Sequence, residues 1–176
     1  VVTDEGHDYT GAEEIGACLI NLGLAEMERG ELAEAVACDR RAIEEFERIG
    51  HGTGRAISYA NLAEKLALRG DNEEALEQCA KALELSRAIG NSVTVADALR
   101  TASRIRLEQG EFVDAAAQAE EAAKLFGEMG ITRWEAESLE LAAEALEQND
   151  EGECGPEELH PETIGRFSSD GKGLSP

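Results

Sequence analysis

The sequence predicts an all-α protein built as a solenoid, in which antiparallel helical hairpins stack side by side. Two observations support this prediction. Glycines recur with a spacing of 40 residues in two series: Gly30, Gly70 and Gly110, and Gly50, Gly90 and Gly130. Between the glycines, apolar residues follow helical spacing, and alanines recur with the same period. A fixed period of this length is typical of stacked units, none of which buries its apolar face alone.

Each repeating unit holds two amphipathic stretches, which we call helix A and helix B. The four A helices are predicted at residues 12–28, 53–69, 93–109 and 132–148, and the three B helices at 31–49, 71–89 and 111–129. These seven helices make about three and a half repeats. Gly30 ends the first A helix, because the left-handed position after a helix favours a residue without Cβ. The short connection that follows forces helices A and B to run antiparallel.

Small residues recur where helices A and B are expected to pack. One position of helix A holds Gly23, Ala63, Ser103 and Ala143, and the facing position of helix B holds Ala35, Ala75 and Ala115. Small side chains let two helix axes approach to about 8 Å, which is the low end of the usual range. The sequence therefore predicts closely packed hairpins.

The same residues match a known repeat motif, W-x2-L-G-x2-Y…A-x3-F…P. It is represented by Leu19-x2-Leu22-Gly23 with Ala35, by Tyr59-x2-Leu62-Ala63 with Ala75, by Leu99-x2-Ala102-Ser103 with Ala115, and by Leu139-x2-Ala142-Ala143. The chain therefore resembles the tetratricopeptide repeat family over residues 12–148.

The length of the unit narrows this resemblance. The proline that closes the family motif is replaced by a longer helix B, which ends in Phe46-x2-Ile49-Gly50 in the first repeat. This unit looks like the 40-residue subclass of kinesin light chains and of bacterial signalling ATPases, cyclases and transcription regulators. The resemblance implies a scaffold that binds proteins or peptides in its concave groove, as a regulatory or sensory module of a larger bacterial signalling protein. The alternative is a structural spacer or self-association module.

Charge and composition exclude several kinds of partner. The chain has 176 residues and a formal net charge of −22. Such a charge opposes binding to nucleic acids and to anionic membranes, both of which attract Lys and Arg. No apolar run reaches the ~18 residues of a membrane-spanning helix. We therefore expect no nucleic-acid or membrane partner. The cysteines show no pairing motif, so we expect a reduced, cytoplasmic protein, and the resemblance implies that its partner is a protein or peptide.

Three segments are expected along the chain. Residues 1–11 lack a helical apolar pattern and form an N-terminal stub, and residues 12–148 form the array. Residues 149–176 contain all three prolines and an excess of acids, which predicts an acidic tail or linker. Its apolar residues Leu159, Ile164 and Phe167 could dock on the last helix as a partial cap, so disorder and docking both stay open.

No pattern in the sequence indicates catalysis. The run Gly50-His51-Gly52-Thr53-Gly54 lacks the Lys and the preceding strand of a phosphate-binding loop, and we interpret it as a turn between repeats. The histidines lie far apart and the cysteines form no CxxC pair, so we expect neither a metal nor a cofactor. Cys18, Cys38 and Cys79 fall where helices pack, and we expect them to be small buried hydrophobes.

The concave wall is the predicted binding site, and the family resemblance supplies its positions. Because helix A lines the groove in this family, the resemblance implies these candidate peptide-binding residues: Asn21, Leu24, Asn61, Glu64, Asp97, Arg100 and Arg104. It also implies the neighbouring positions Ala17, Ile20, Ile57, Thr101, Glu137, Glu140 and Glu144. Asn21 and Asn61 are equivalent, and an amide both donates to and accepts from a peptide backbone. The alternative for both is an ordinary exposed asparagine.

Arg100 and Arg104 are spaced i, i+4 and therefore project from one face of their helix. A guanidinium binds a carboxylate through two parallel hydrogen bonds, so this pair predicts a partner with an acidic or C-terminal carboxylate group. The carboxylate clamp of the family needs basic residues where this chain has Asp97 and Thr101, which argues against that particular activity. The alternative is that the arginines balance Asp97 and its neighbours.

Overall fold

The computed structural model describes residues 9–153, and within this range all regular structure is α-helical. The helices are α1 (Tyr9–Glu28), α2 (Leu32–Arg48), α3 (Gly52–Arg69), α4 (Asn72–Ile89), α5 (Ser92–Glu108), α6 (Phe112–Glu128) and α7 (Thr132–Glu153). The odd-numbered helices are the predicted A helices, and the even-numbered ones are the predicted B helices. The prediction of seven helices in an all-α array is confirmed for this part of the chain.

Glycine turns separate all of these helices. At the first turn, Gly30 has a φ of 82°. Its N–H donates to the carbonyl of Met27 at 3.0 Å, and the N–H of Glu31 donates to the carbonyl of Glu26 at 2.9 Å. This pair of hydrogen bonds satisfies carbonyls that the end of a helix leaves free, and it recurs at the other five turns. Helix α7 continues to Glu153 because Asp150 stands where three A helices have their terminal glycine. Residues 154–176, including the proposed docking segment, lie outside the described residues.

The helices form two layers. Each helix packs on the next one along the chain, and each A helix also contacts the next A helix, in the pairs α1–α3, α3–α5 and α5–α7. In the described part of the chain the B helices do not pack on one another, and they meet through surface ion pairs such as Arg40 with Glu74. Because the A helices lie closer together than the B helices, the stack curves toward the A row. The A helices therefore line its inner wall.

Small residues close the hairpins as predicted. Ala35, Ala75 and Ala115 are fully buried. A Cβ placed on Gly23 would lie 3.3 Å from the carbonyl oxygen of Ala35, so α1 and α2 approach there as closely as a glycine allows. In the third repeat, the hydroxyl of Ser103 donates to the carbonyl of Ala115 at 2.8 Å. Ala143 is exposed, because no described helix follows α7.

Two glycines make room for the ring of Phe46 between α1 and α3. A Cβ on Gly16 would lie 2.6 Å from this ring, and a Cβ on Gly54 would lie 2.4 Å from it. Nearby, Nδ1 of His51 accepts from the N–H of Gly54 at 3.0 Å and caps α3. The interpretation of this run as a junction between repeats is confirmed at Gly50 and His51, whereas Gly52, Thr53 and Gly54 form the first turn of α3.

A buried ion pair, which the periodicity did not predict, joins α2 to α3. Lys65 Nζ lies 2.5 Å from Asp39 Oδ2, and both side chains are fully buried. Burial raises the pKa of Asp39 to about 6, although Lys65 opposes this shift. At the two later junctions the equivalent positions hold the buried pairs Cys79 and Ile105, and Ala119 and Ala145. The first junction therefore carries charge where the other two are apolar.

The two end helices are covered less than the inner ones. Cys18 on α1 is exposed, so the expectation that it is buried was wrong. The reason is that no described helix precedes α1. Cys38 and Cys79 lie between helices and are buried as expected, whereas Cys154 lies outside the described residues.

Candidate functional site

An open groove of about 620 Å³ runs along the A row. All four A helices contribute to it. Its lining residues are Leu24, Met27, Glu28, Ala60, Asn61, Glu64, Asp97, Arg100, Thr101, Arg104, Arg133, Trp134 and Glu137. The groove is strongly polar, with arginines, carboxylates and an amide beside the indole ring of Trp134.

The structure brings six of the seven candidate residues together in this groove. Leu24, Asn61, Glu64, Asp97, Arg100 and Arg104 all line it, together with Thr101 and Glu137 from the neighbouring positions. Asn21 is exposed on α1 but does not line the groove, so the two equivalent asparagines are not used alike. Glu144 lines an adjoining hollow of about 420 Å³ that also includes Arg104. Ala17, Ile20, Ile57 and Glu140 line neither space.

Arg100 is the centre of the groove and is already surrounded by carboxylates. Its Nη1 donates to Glu137 at 2.8 Å, and its Nη2 lies 3.5 Å from Glu64 and 3.8 Å from Asp97. The guanidinium also lies over the ring of Trp134, at 5.8 Å from the centroid. The side chain is only 8% exposed. Arg100 therefore balances neighbouring acids and does not present an unpaired positive charge.

Asp97 has an unusual titration for a carboxyl group. Burial raises the pKa of Asp97 to about 6, Arg100 opposes the shift, and the charge of Glu64 adds to it. One guanidinium shared among three acids does not offset the loss of solvent around this carboxylate. The charge of the groove therefore changes as the pH passes through about 6.

Arg104 differs from Arg100 in its surroundings. It forms no ion pair within residues 9–153, and its Nη2 is buried without a hydrogen-bond acceptor there. It lies at the boundary between the groove and the adjoining hollow. Arg133, at the start of α7, is exposed and also lacks an ion-pair partner in the described part of the chain. These two arginines are the cations that the groove offers to a ligand.

Several lining residues were missed at the level of sequence. Met27 and Glu28 lie one helical turn beyond Leu24, so extension of that stripe would have found them. Arg133 and Trp134 lie in the first turn of α7, earlier than the positions that the family resemblance implied. Their approach to the groove follows from how α7 packs on α5 and α6, which the motif does not specify.

Among the residues that the structure describes, no group of three or more His, Cys, Asp or Glu side chains could hold a metal ion. Within the same residues, no helix combines the length and apolar character needed to cross a membrane.

The fold defines a class, the α-solenoids built from stacked antiparallel helical hairpins. The family model for the tetratricopeptide repeat matches residues 14–88 and 55–128, and the chain belongs to this family. Tetratricopeptide repeats generally mediate protein–protein interaction. No curated protein matches the chain.

Proposed function

We propose that the chain is a peptide-binding scaffold that holds a segment of a partner protein in the groove of the A helices. The observation that supports this proposal is the convergence of Leu24, Asn61, Asp97 and Arg104, from three different helices, on one open groove. We propose that it acts in the cytoplasm as a regulatory or sensory module of a larger bacterial signalling protein, in line with its 40-residue repeat. We assign it no catalysis and no cofactor, because repeat arrays of this family typically serve as non-catalytic scaffolds.

The partner segment is proposed to carry an acidic side chain or a C-terminal carboxylate. Arg104 and Arg133 are the residues that would receive it, because Arg100 is already engaged by three acids. The amide of Asn61 would pair with the peptide backbone, and Trp134 and Leu24 offer apolar surface beside it. In this proposal Arg100 keeps its ion pairs with Glu64, Asp97 and Glu137 and does not bind the ligand carboxylate.

A charge-reversal experiment tests the proposal. The probes are two short peptides of the same length, one ending in Glu-Glu with a free carboxylate and one ending in Gln-Gln with an amide. We expect Arg104→Glu to weaken binding of the acidic peptide by at least about tenfold, or about 1.4 kcal/mol. The matched control is Arg87→Glu, because Arg87 is 54% exposed and pairs with Glu121 outside the groove. Equal binding of both peptides, or equal effects of both variants, would contradict the proposal.

The second candidate function is a spacer or self-association module. It is supported by apolar side chains on the last helix, where Leu139 and Leu146 are about half exposed. The net charge of −22 opposes it, because two copies repel each other. Light scattering over a range of concentrations tests self-association, which a persistent monomer excludes.

A further inference from the structure

The outward side of α1 is a second surface, separate from the groove. A shallow hollow there of about 440 Å³ is lined by Gly11 and by Glu14, Ile15, Cys18, Leu19 and Leu22, and we call the last five residues the α1 outer face. Ile15 and Leu22 are each 46% exposed, although both are large and apolar. Leu19 lies at the inner edge of this face and is buried with Ala42 and Phe46 of α2, whereas Ile15, Cys18 and Leu22 are left exposed by the residues within 9–153.

The repeat register shows what kind of element fits this face. The positions 40 residues further on are Gly54, Arg55, Ser58, Tyr59 and Leu62 of α3, and helix α2 covers them. The ring of Phe46 lies on Gly54. Glu47 accepts from the hydroxyl of Tyr59 at 3.0 Å and pairs with Arg55 at 3.4 Å.

Apolar contacts complete the cover of α3. Val36 and Ile43 of α2 belong to one buried cluster with Tyr59 and Leu62. Leu62 is 2% exposed as a result, whereas its equivalent Leu22 is 46% exposed. The α1 outer face therefore repeats a surface that, one repeat later, accepts a B helix.

We infer that the α1 outer face binds a basic amphipathic helix of a partner protein, which lies on α1 as α2 lies on α3. This is a helix-in-groove interaction. It is distinct from the groove of the A row, which is proposed to take a peptide at other residues.

The charges around the face specify the basic character of the partner. Glu74 on α4 pairs with Arg40 of the preceding B helix at 2.8 Å. Its equivalent on α2 is Glu34, which is exposed and has no ion-pair partner among residues 9–153. A helix on α1 would bring a basic residue to Glu34 at the position that Arg40 occupies on α2.

Two further substitutions on α1 define the rest of the partner helix. Glu14 is equivalent to Gly54, which leaves room for the ring of Phe46. At the position that Phe46 occupies on α2, the partner helix therefore needs a basic residue that pairs with Glu14. Ile15 is equivalent to Arg55, which pairs with Glu47 of α2. At the position of Glu47, the partner helix therefore needs an apolar residue that packs on Ile15. The partner helix thus has an apolar stripe flanked by basic residues.

A second copy of this chain does not have this chemistry. Each copy carries a net charge of −22, and the B helices α2, α4 and α6 are packed between the A helices of their own array. Two copies would bring acidic surfaces together, which opposes their association. A basic helix is attracted by the same charge.

The probe is a synthetic peptide based on residues 31–50, with the changes Asp39→Ala, Phe46→Lys and Glu47→Leu. It also carries Glu31→Lys and Glu44→Lys, at two exposed positions, which give it a net positive charge. Asp39→Ala is needed because Asp39 faces Lys65 on α3, whereas the equivalent residue on α1 is Ala25. We expect saturable binding to the full chain, measured by fluorescence anisotropy, that weakens as salt is raised. Leu22→Glu should weaken it by about tenfold or more, because it places a charge in the apolar centre of the contact. The matched control Val113→Glu changes an apolar residue that is 68% exposed on α6, and it should leave binding unchanged.

A charge swap tests the register. Glu34→Lys should weaken binding of the probe peptide, and the peptide with Arg40→Glu should restore binding to that variant. Absence of saturable binding, equal effects of Leu22→Glu and Val113→Glu, or failure of the swap would each overturn the inference. Dimers in sedimentation that Leu22→Glu dissociates would also overturn it, because the occupant would then be a second copy. None of these variants touches Arg104, so the groove proposal stands or falls independently.

Discussion

The buried pair of Asp39 and Lys65 provides a quantitative test of how the first two repeats are held together. Both side chains are fully buried, and the same positions at the next junction hold Cys79 and Ile105. We expect that removal of either charge alone destabilises the fold. Replacement of both by the residues of the next junction, Asp39→Cys with Lys65→Ile, should not.

The expected change in unfolding free energy depends on which buried group each substitution leaves without a partner. Lys65→Ile leaves a buried carboxylate without its cation, and removal of one partner of such a pair costs about 3–5 kcal/mol. For a chain of this size, each kcal/mol moves the Tm by ~2–4 °C, so the Tm should fall by about 10 °C. Replacement of a whole buried pair by apolar residues is usually neutral, or stabilising by ~1–4 kcal/mol. Among residues 9–153, Oδ1 of Asp39 is buried without a hydrogen-bond partner, which favours the stabilising end of that range.

The raised pKa of Asp39 also predicts how the stability loss of Lys65→Ile depends on pH. The pKa of Asp39 is raised from 3.8 to about 6, mainly by burial. The folded state therefore holds this proton more tightly than the unfolded state, and its contribution to stability falls as the pH rises from about 4 to beyond 6. Loss of Lys65 removes a charge that lowers this pKa, so the carboxyl becomes neutral more readily. The defect of Lys65→Ile should therefore be larger at pH 8 than at pH 5, and the double variant should lack this part of the pH dependence.

The assay is chemical and thermal unfolding of both single variants and the double variant, followed by far-UV circular dichroism. The coupling free energy of the two changes should then have the sign of mutual compensation. The reasoning fails if Lys65→Ile unfolds like the parent chain at pH 8. It also fails if the double variant loses as much stability as the two single variants together.

Three further predictions concern packing and the groove. Ala75→Leu should cost roughly 1–3 kcal/mol of unfolding free energy, because Ala75 is fully buried between helices; an unchanged melt would contradict this. Gly54→Ala should cost a similar ~1–3 kcal/mol through its clash with Phe46, and Phe46→Leu in the same chain should recover part of the loss in urea titrations. Asp97→Asn should raise the free energy of unfolding by about 1 kcal/mol at pH 7 and change it little near pH 4. The raised pKa of Asp97 means that its charge destabilises the fold, and this effect disappears on protonation. The same gain at both pH values would refute this.

The fold could be predicted from local chemistry because each boundary has its own physical cause. The terminal glycines adopt positive φ at all six turns, and their spacing alone places the helices to within a few residues. The end of α7 was missed because Asp150 replaces a glycine and the helix continues to Glu153. Cys18 was misassigned for a related reason. Periodicity describes an average repeat, whereas burial at an end depends on whether a neighbouring helix is present.

The site could be predicted only in part. The family positions identified residues that line the groove, because the direction of a side chain on helix A follows from its register. They did not reveal that Arg100 is shared among three acids, since Glu64 and Glu137 lie on different helices from Arg100. Nor did they reveal the pair of Asp39 and Lys65, which departs from the repeat at a single junction. Such contacts depend on how neighbouring repeats are juxtaposed, and they are the features in which one array differs from another.

The position of Arg100 links ligand binding to the geometry of the stack. Its guanidinium joins α5 to Glu64 on α3 and to Glu137 on α7, so its ion pairs connect three A helices. A ligand carboxylate that takes Nη1 of Arg100 must displace Glu137 and remove the ion pair between α5 and α7. A carboxylate on Arg104 or Arg133 leaves that pair intact, because neither residue takes part in it. The cost of binding thus depends on which arginine is used. Arg104 and Arg133, which have no ion-pair partner among residues 9–153, are therefore the favourable anchors for a ligand carboxylate.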